Sequence, residues 1–169
     1  MDPDRAQEKV YVALGSNLGD REAHLAAALD GLRDSVGIDL IRVSPVFETD
    51  PVGPPPQGPY LNAVAQVRSR LAPRELLERL LEIEALQGRT RGHHRDGART
   101  LDLDLLLFGD RVIDEQGLEI PHPRLHTRPF VLEPLRSLAA ETVHPVLGET
   151  IEALAARVHD PDAVRPRTE

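Results

Sequence analysis

The chain has no cysteine, which excludes disulfides, thiolate metal ligands and cysteine nucleophiles together, so any metal must sit on oxygen or imidazole. It has a single lysine, Lys9, and every other cationic side chain is arginine. That scarcity, with no G-x-x-x-x-G-K-[ST] and no G-x-G-x-x-G anywhere, removes both the P-loop and the Rossmann phosphate site. Tryptophan is missing and only two tyrosines and three phenylalanines are present. With a net charge of −8, this leaves neither the basic field nor the stacking platforms of an extended nucleic-acid surface. No apolar run approaches the ~20 residues of a membrane span, and the polar opening Met1-Asp2-Pro3-Asp4-Arg5 leads into no signal-peptide segment. A cytoplasmic protein without membrane or nucleic-acid partners is expected. At 169 residues it has the size of one domain, with a core over about residues 9–158, and a monomer is the default.

Hydrophobic periodicity gives the element order. Residues 9–14 read as a strand, and Asp20 is placed to cap a helix that carries Leu25, Ala28, Leu29 and Leu32 on one face to about Arg33. A second strand is expected over about 38–47, bent at Pro45. Residues 49–59 hold five of the fifteen prolines and form a loop, after which Leu61, Ala63, Ala65 and Val67 alternate with polar residues as a half-buried third strand. A helix runs from Pro73 to Gly88 on the stripe Leu76, Leu77, Leu80 and Leu81. Residues 89–99 have no period, 100–108 read as a strand, and Gly109-Asp110 turns the chain into a short strand at Val112-Ile113. A helical turn around Phe130 to Leu138 and a helix from Glu149 to Val158 follow, and the last ten residues read as frayed. The order strand, helix, strand, strand, helix, strand predicts an α+β, ferredoxin-like βαββαβ sheet with helices on one face, plus a hairpin and helices added after it.

Alternation along a strand puts Asp102 and Asp104 on one face, roughly 6.5 to 7 Å apart at the backbone. Two carboxylates beside a leucine-rich core repel each other and lose hydration unless a cation compensates. Magnesium, which takes a few carboxylates together with water and phosphate oxygens, fits that need. A D-x-D on a solvent-facing edge strand is the plain alternative. The preceding loop supplies Arg89, Arg91, Arg95 and Arg99, whose planar forks suit the nonbridging oxygens of a transferring phosphoryl group, although a solvated basic loop has the same composition. Adjacent His93 and His94 are assigned no ligand role. Glu84 falls on the leucine stripe of its helix, where it either pairs with Arg89 or Arg91 or meets a nucleotide. Tyr60 and Phe130, each bordering an irregular segment, are core fillers or a sandwich for a flat heterocycle. Asn62 offers donor and acceptor to the edge of such a ring, and His122 either bonds structurally or contacts phosphate.

Taken together, Ala13-Leu14-Gly15-Ser16-Asn17-Leu18-Gly19, Phe47-Glu48-Thr49, Pro51-Val52-Gly53, Tyr60-Leu61-Asn62-Ala63, Gln87-Gly88-Arg89, Pro121-His122 and Arg128-Pro129-Phe130 resemble the 6-hydroxymethyl-7,8-dihydropterin pyrophosphokinase family over about residues 9–150. The stretch from Arg95 to Leu106 corresponds to the family's signature. The resemblance implies transfer of the β,γ-pyrophosphoryl group of ATP to the pterin's hydroxymethyl oxygen, with two magnesium ions held by Asp102 and Asp104 and AMP released. It implies a pterin pocket of Thr49, Val52, Tyr60, Asn62 and Phe130. It also implies ATP contacts from Glu84, Arg91, Arg99, Leu105, His122 and Arg128, with Arg89 and Arg99 assisting transfer. Asp50, Leu81 and Asp96 depart from the family pattern. A phosphohydrolase using the same aspartates with water as acceptor, and a non-catalytic binding module, are the competing readings.

Overall fold

Val10, Val12 and Leu14 alternate along β1 (Lys9–Ser16) with Tyr11 and Ala13, and the two sets enter different cores. That alternation fixes the architecture, because a strand with apolar side chains on both faces must be covered on both. The computed structural model describes residues 8–50, 59–88 and 101–167. After β1 come α1 (Arg21–Asp34), β2 (Ile38–Val43), β3 (Phe47–Thr49), β4 (Tyr60–Ser69), α2 (Pro73–Leu86) and β5 (Asp102–Phe108). A small hairpin, β6 (Ile113–Glu115) with β7 (Leu118–Ile120), leads through a 3-10 turn (Leu125–Thr127) to α3 (Pro129–Ala139), α4 (Ile151–Val158) and β8 (Val164–Pro166).

The main sheet runs β5-β1-β4-β3-β8, with β2 also paired to β4, and every pairing is antiparallel. On one face α1 and α2 bury Leu25, Ala28, Leu32, Leu76, Leu80 and Ile83 against Val12, Leu14, Leu103, Leu105 and Phe108. On the other, Leu132 and Leu135 of α3 and Leu154 of α4 pack with Tyr11, Val64, Leu106 and Leu107. Each fully buried leucine contributes about 1.5–3 kcal/mol by removal from water, so both layers hold the sheet firmly. The expected single-sided layer is therefore corrected to a sheet covered on both faces. For the same reason β4 is buried on both sides rather than half-buried, with Val64 and Gln66 as inaccessible as Leu61 and Val67.

Capping explains where the helices start. The Asp20 carboxylate accepts the Ala23 N–H at 3.1 Å and the Thr150 hydroxyl accepts the Ala153 N–H at 3.1 Å, each satisfying a donor that the first turn leaves open. Three further expectations are revised. The strand expected over 38–47 is two strands, because Pro45 has no N–H. At the break Ser44 takes over, its N–H donating to Val64 O at 2.8 Å and its hydroxyl accepting the Val64 N–H at 2.8 Å. The turn expected near Phe130 is an 11-residue helix that tolerates Pro134 inside it, since burial of Val131, Leu132 and Leu135 offsets the ~3 kcal/mol cost of an internal proline. The tail is not frayed throughout: residues 164–166 form β8 and pair with β3.

Candidate active site

The sheet register sets the site. Gly15 in β1 lies opposite Asp102 of β5 on one side and Asn62 of β4 on the other, and Asn62 in turn faces Phe47 of β3. In the next row Ala13 separates Asp104 from Val64. Residues directly opposite share a face, so both aspartates and Asn62 project to the α3 side of the sheet. Asp102 and Asn62 stand two strand spacings apart, roughly 10 Å at the backbone. Between them Gly15 contributes no side chain. A Cβ there would come within 3.0 Å of Asn62 Oδ1, so glycine is what leaves the floor open.

Above this floor is a cleft of about 540 Å³, walled by the start of α3, the segment from His122 to Arg128, and Ala163-Val164. One end is aromatic, with Asp50 at its margin. Tyr60 and Phe130 line it, and Asn62 Nδ2 donates to the buried Thr49 hydroxyl at 2.6 Å. This bond fixes the amide's orientation on the floor of the cleft. The other end is ionic: Asp102 and Asp104, both half-buried, face His122, Arg124 and Arg128 across the opening. Arg128 places its guanidinium carbon 5.5 Å from the Phe130 ring centroid and so joins the two ends.

His122 is held as a neutral imidazole. Burial, then the charges of Arg128 and Arg124, push its pKa from 6.5 down to about 4, against an opposing pull from Asp102. The Arg124 N–H donates to His122 Nδ1 at 3.1 Å, so the neutral ring carries its proton on Nε2. A neutral donor between two arginines can hydrogen-bond an anionic oxygen without adding to the positive charge there.

Eight of the residues singled out from the sequence therefore line one cleft: Thr49, Tyr60, Asn62, Asp102, Asp104, His122, Arg128 and Phe130. Two others face elsewhere. Glu84 is only 3% exposed and its Oε2 accepts the Leu103 N–H at 2.7 Å, so this carboxylate braces the strand carrying the aspartates from behind. The Leu105 side chain is packed in the α1–α2 core, because strand alternation turns it away from Asp104. Val52, Arg89, Arg91 and Arg99 lie outside the described residues. The structure adds Gly15, Asp50, Arg124, Thr127, Ala163 and Val164 to the cleft. Gly15 sits in a quoted motif and Arg124 follows His122 by two, but no local signal marked Ala163 or Val164.

An antiparallel sheet between two helical layers, carrying a cleft that is ionic at one end and aromatic at the other, defines a mixed α/β fold shared with solved structures. The crystal structure of wild-type Plasmodium falciparum HPPK-DHPS with STZ-DHP aligns at a TM-score of 0.71, with 17% identity over 89% of this chain; this chain spans 43% of that one. A second, of HPPK-DHPS in complex with substrates, aligns at 0.70 with 14% identity over 89% of this chain and 43% of that chain. In sequence, the family model described as 7,8-dihydro-6-hydroxymethylpterin-pyrophosphokinase matches residues 11–140. The chain belongs to that family. Relatives named 2-amino-4-hydroxy-6-hydroxymethyldihydropteridine pyrophosphokinase include those of Pseudomonas aeruginosa, 44% identical over 88% of this chain and 91% of the relative, and Bacillus subtilis, 44% identical over 78% of each. The family that the motifs resemble is thus the family the chain belongs to.

Proposed function

We propose that this chain transfers the β,γ-pyrophosphoryl group of Mg-ATP to the hydroxymethyl oxygen of 6-hydroxymethyl-7,8-dihydropterin, releasing AMP, as a step of folate biosynthesis. The observation that carries the reading is the transverse row Asp102–Gly15–Asn62, which puts a carboxylate suited to a metal-bound phosphate and an amide suited to a heterocycle edge on one open floor. The sheet order, with a split βαβ on each side of the β2–β4 connection, supports a ferredoxin-like description. We take the chain as one domain that acts as a cytoplasmic monomer without nucleic-acid or membrane partners. No helix among the described residues is long and apolar enough to cross a membrane.

Asp102 and Asp104 suit magnesium because two half-buried carboxylates on one face match a cation that keeps water and substrate phosphate as its remaining ligands. Two ions bound there would neutralise phosphate charge and align the attacking and leaving oxygens. Tyr60 and Phe130 would flank the pterin ring while Asn62, oriented by Thr49, bonds its edge. His122 and Arg128 would hold nonbridging oxygens. Arg91 joins them as a proposed ATP contact and Val52 as a proposed pterin contact, with Arg89 and Arg99 assisting transfer. Glu84 would serve ATP through the strand it braces, and Leu105 through its backbone. The alcohol oxygen bonds to the β-phosphorus, the bond from that phosphorus to the α-phosphate oxygen breaks, and the alcohol proton passes to solvent. This chemistry needs positioning and charge neutralisation more than a strong base.

Product analysis after incubation with ATP, magnesium and the pterin alcohol tests the reading. AMP and pterin diphosphate in equal amounts, formed only when all three are present, are expected. ADP, or hydrolysis without pterin, would overturn it in favour of a phosphohydrolase.

A further inference from the structure

We infer that the strand at residues 164–166 is a positioning element of the pterin end of the cleft, holding Thr49 in place and closing the wall beside it. The inference rests on the functional reading above, since it assigns the pterin to the end of the cleft that contains Thr49.

Thr49 ends a strand of only three residues, paired to β4 on one side. A three-residue edge strand is held by few bonds, and its last residue is the first to fray. β8 supplies the other side. Val164 lies directly opposite Thr49, Arg165 opposite Glu48 and Pro166 opposite Phe47. The attachment continues past both ends of the ladder: the Asp50 N–H donates to Ala163 O at 3.0 Å and the Arg167 N–H to Val46 O at 2.9 Å. Side chains repeat the connection, with Arg165 on Asp50 at 3.0 Å and Arg167 on Glu48 at 3.7 Å. Arg167 also pairs with Glu22 at the start of α1.

This arrangement has two effects on the site. It converts Thr49 from an edge residue to an interior one, 2% exposed, so its hydroxyl is fixed where Asn62 donates to it. It also brings Ala163 and Val164 onto the cleft itself. Both effects fall on the aromatic end. The segment lies outside residues 11–140, over which the family model matches, so the family motifs do not report it. Asp50, one of the departures from the family pattern, here has an assigned partner in Arg165.

The test uses the full chain with Arg165→Pro, which removes both the guanidinium and a strand N–H, and separately Arg165→Glu, which places like charge against Asp50 and leaves the backbone donor intact. Steady-state kinetics would be measured alongside hydrogen exchange at the Asp50 amide. In Arg165→Pro the KM for the pterin is expected to rise about fivefold to tenfold, with kcat and the KM for ATP within about twofold, and Asp50 exchange should accelerate. Arg165→Glu should shift the same constant in the same direction by a smaller factor. Faster Asp50 exchange with an unchanged pterin KM in both variants would overturn the inference, as would an equal rise in the KM for ATP. If the unaltered chain fails to convert the pterin at all, the functional reading is overturned and this inference with it.

Discussion

Glu84 and Leu103 are joined through the wall of the site: a carboxylate from α2 accepts the backbone N–H of the residue that sits between Asp102 and Asp104. Among the described residues β5 is the outer strand of the sheet, so without Glu84 the Leu103 N–H would face a helix with no ladder partner there. Glu84→Ala should therefore leave a buried donor open and lower unfolding free energy by about 1–3 kcal/mol, whereas Glu84→Gln retains an acceptor and should lose less. Denaturant midpoints of the two variants check this. Equal losses would mean that the charge, and not the bond to Leu103, is what the helix contributes.

Removal of either aspartate should separate activity from folding. Asp102→Ala or Asp104→Ala is expected to reduce turnover by about 10²-fold or more, since in the proposed reading each holds the magnesium that neutralises phosphate charge. The variants are expected to remain folded, because neither carboxylate belongs to the two buried hydrophobic cores. Purified variants with native turnover would contradict the metal assignment.

Gly15→Ala probes the open floor. The new methyl would sit 3.0 Å from Asn62 Oδ1, and relief by moving the amide weakens its bond to Thr49. A bond of this kind corresponds to about threefold to tenfold in pterin KM, with a smaller change for ATP. Kinetics with each substrate varied in turn would show it, and an ATP-selective defect would place the heterocycle elsewhere.

The imidazole of His122 should titrate far below its ordinary range in the ligand-free chain, near 4 rather than 6.5. Between these values the unfolded chain binds a proton that the folded chain does not. The contribution of His122 to stability is therefore complete above about 6.5 and is lost as the pH falls toward about 4. His144 acts in the same direction, its pKa lowered by burial and by His126. An NMR titration of the ring proton of His122 gives the value directly, and a midpoint near 6.5 would show that the ring is not confined as described.

What was legible in the sequence followed from periods and parities. The apolar spacing of α1 and α2 and the two-residue step from Asp102 to Asp104 are local properties, and they survive folding unchanged. The split at Ser44-Pro45 was half legible: proline announced a defect, but the rescue by Val64 across the sheet is a long-range bond. Helix α3 is under-read from sequence because Pro134 disfavours a helix locally, while burial against the sheet and α4 permits one. The direction of Glu84 depended on an unpaired N–H nineteen residues further along the chain. β8 was invisible because three residues with two prolines nearby carry no period, and its partner lies more than a hundred positions earlier.

That distance has a consequence for how the molecule is made. Synthesis runs from residue 47 through residue 163 before the second partner of β3 emerges, so for that interval β3 presents one open edge while the rest of the main sheet can already assemble. Until that strand arrives, an uncovered edge invites pairing with a neighbouring chain. Yield of native enzyme at high expression should therefore be limited less by the buried layers than by how soon residues 164–166 reach their place.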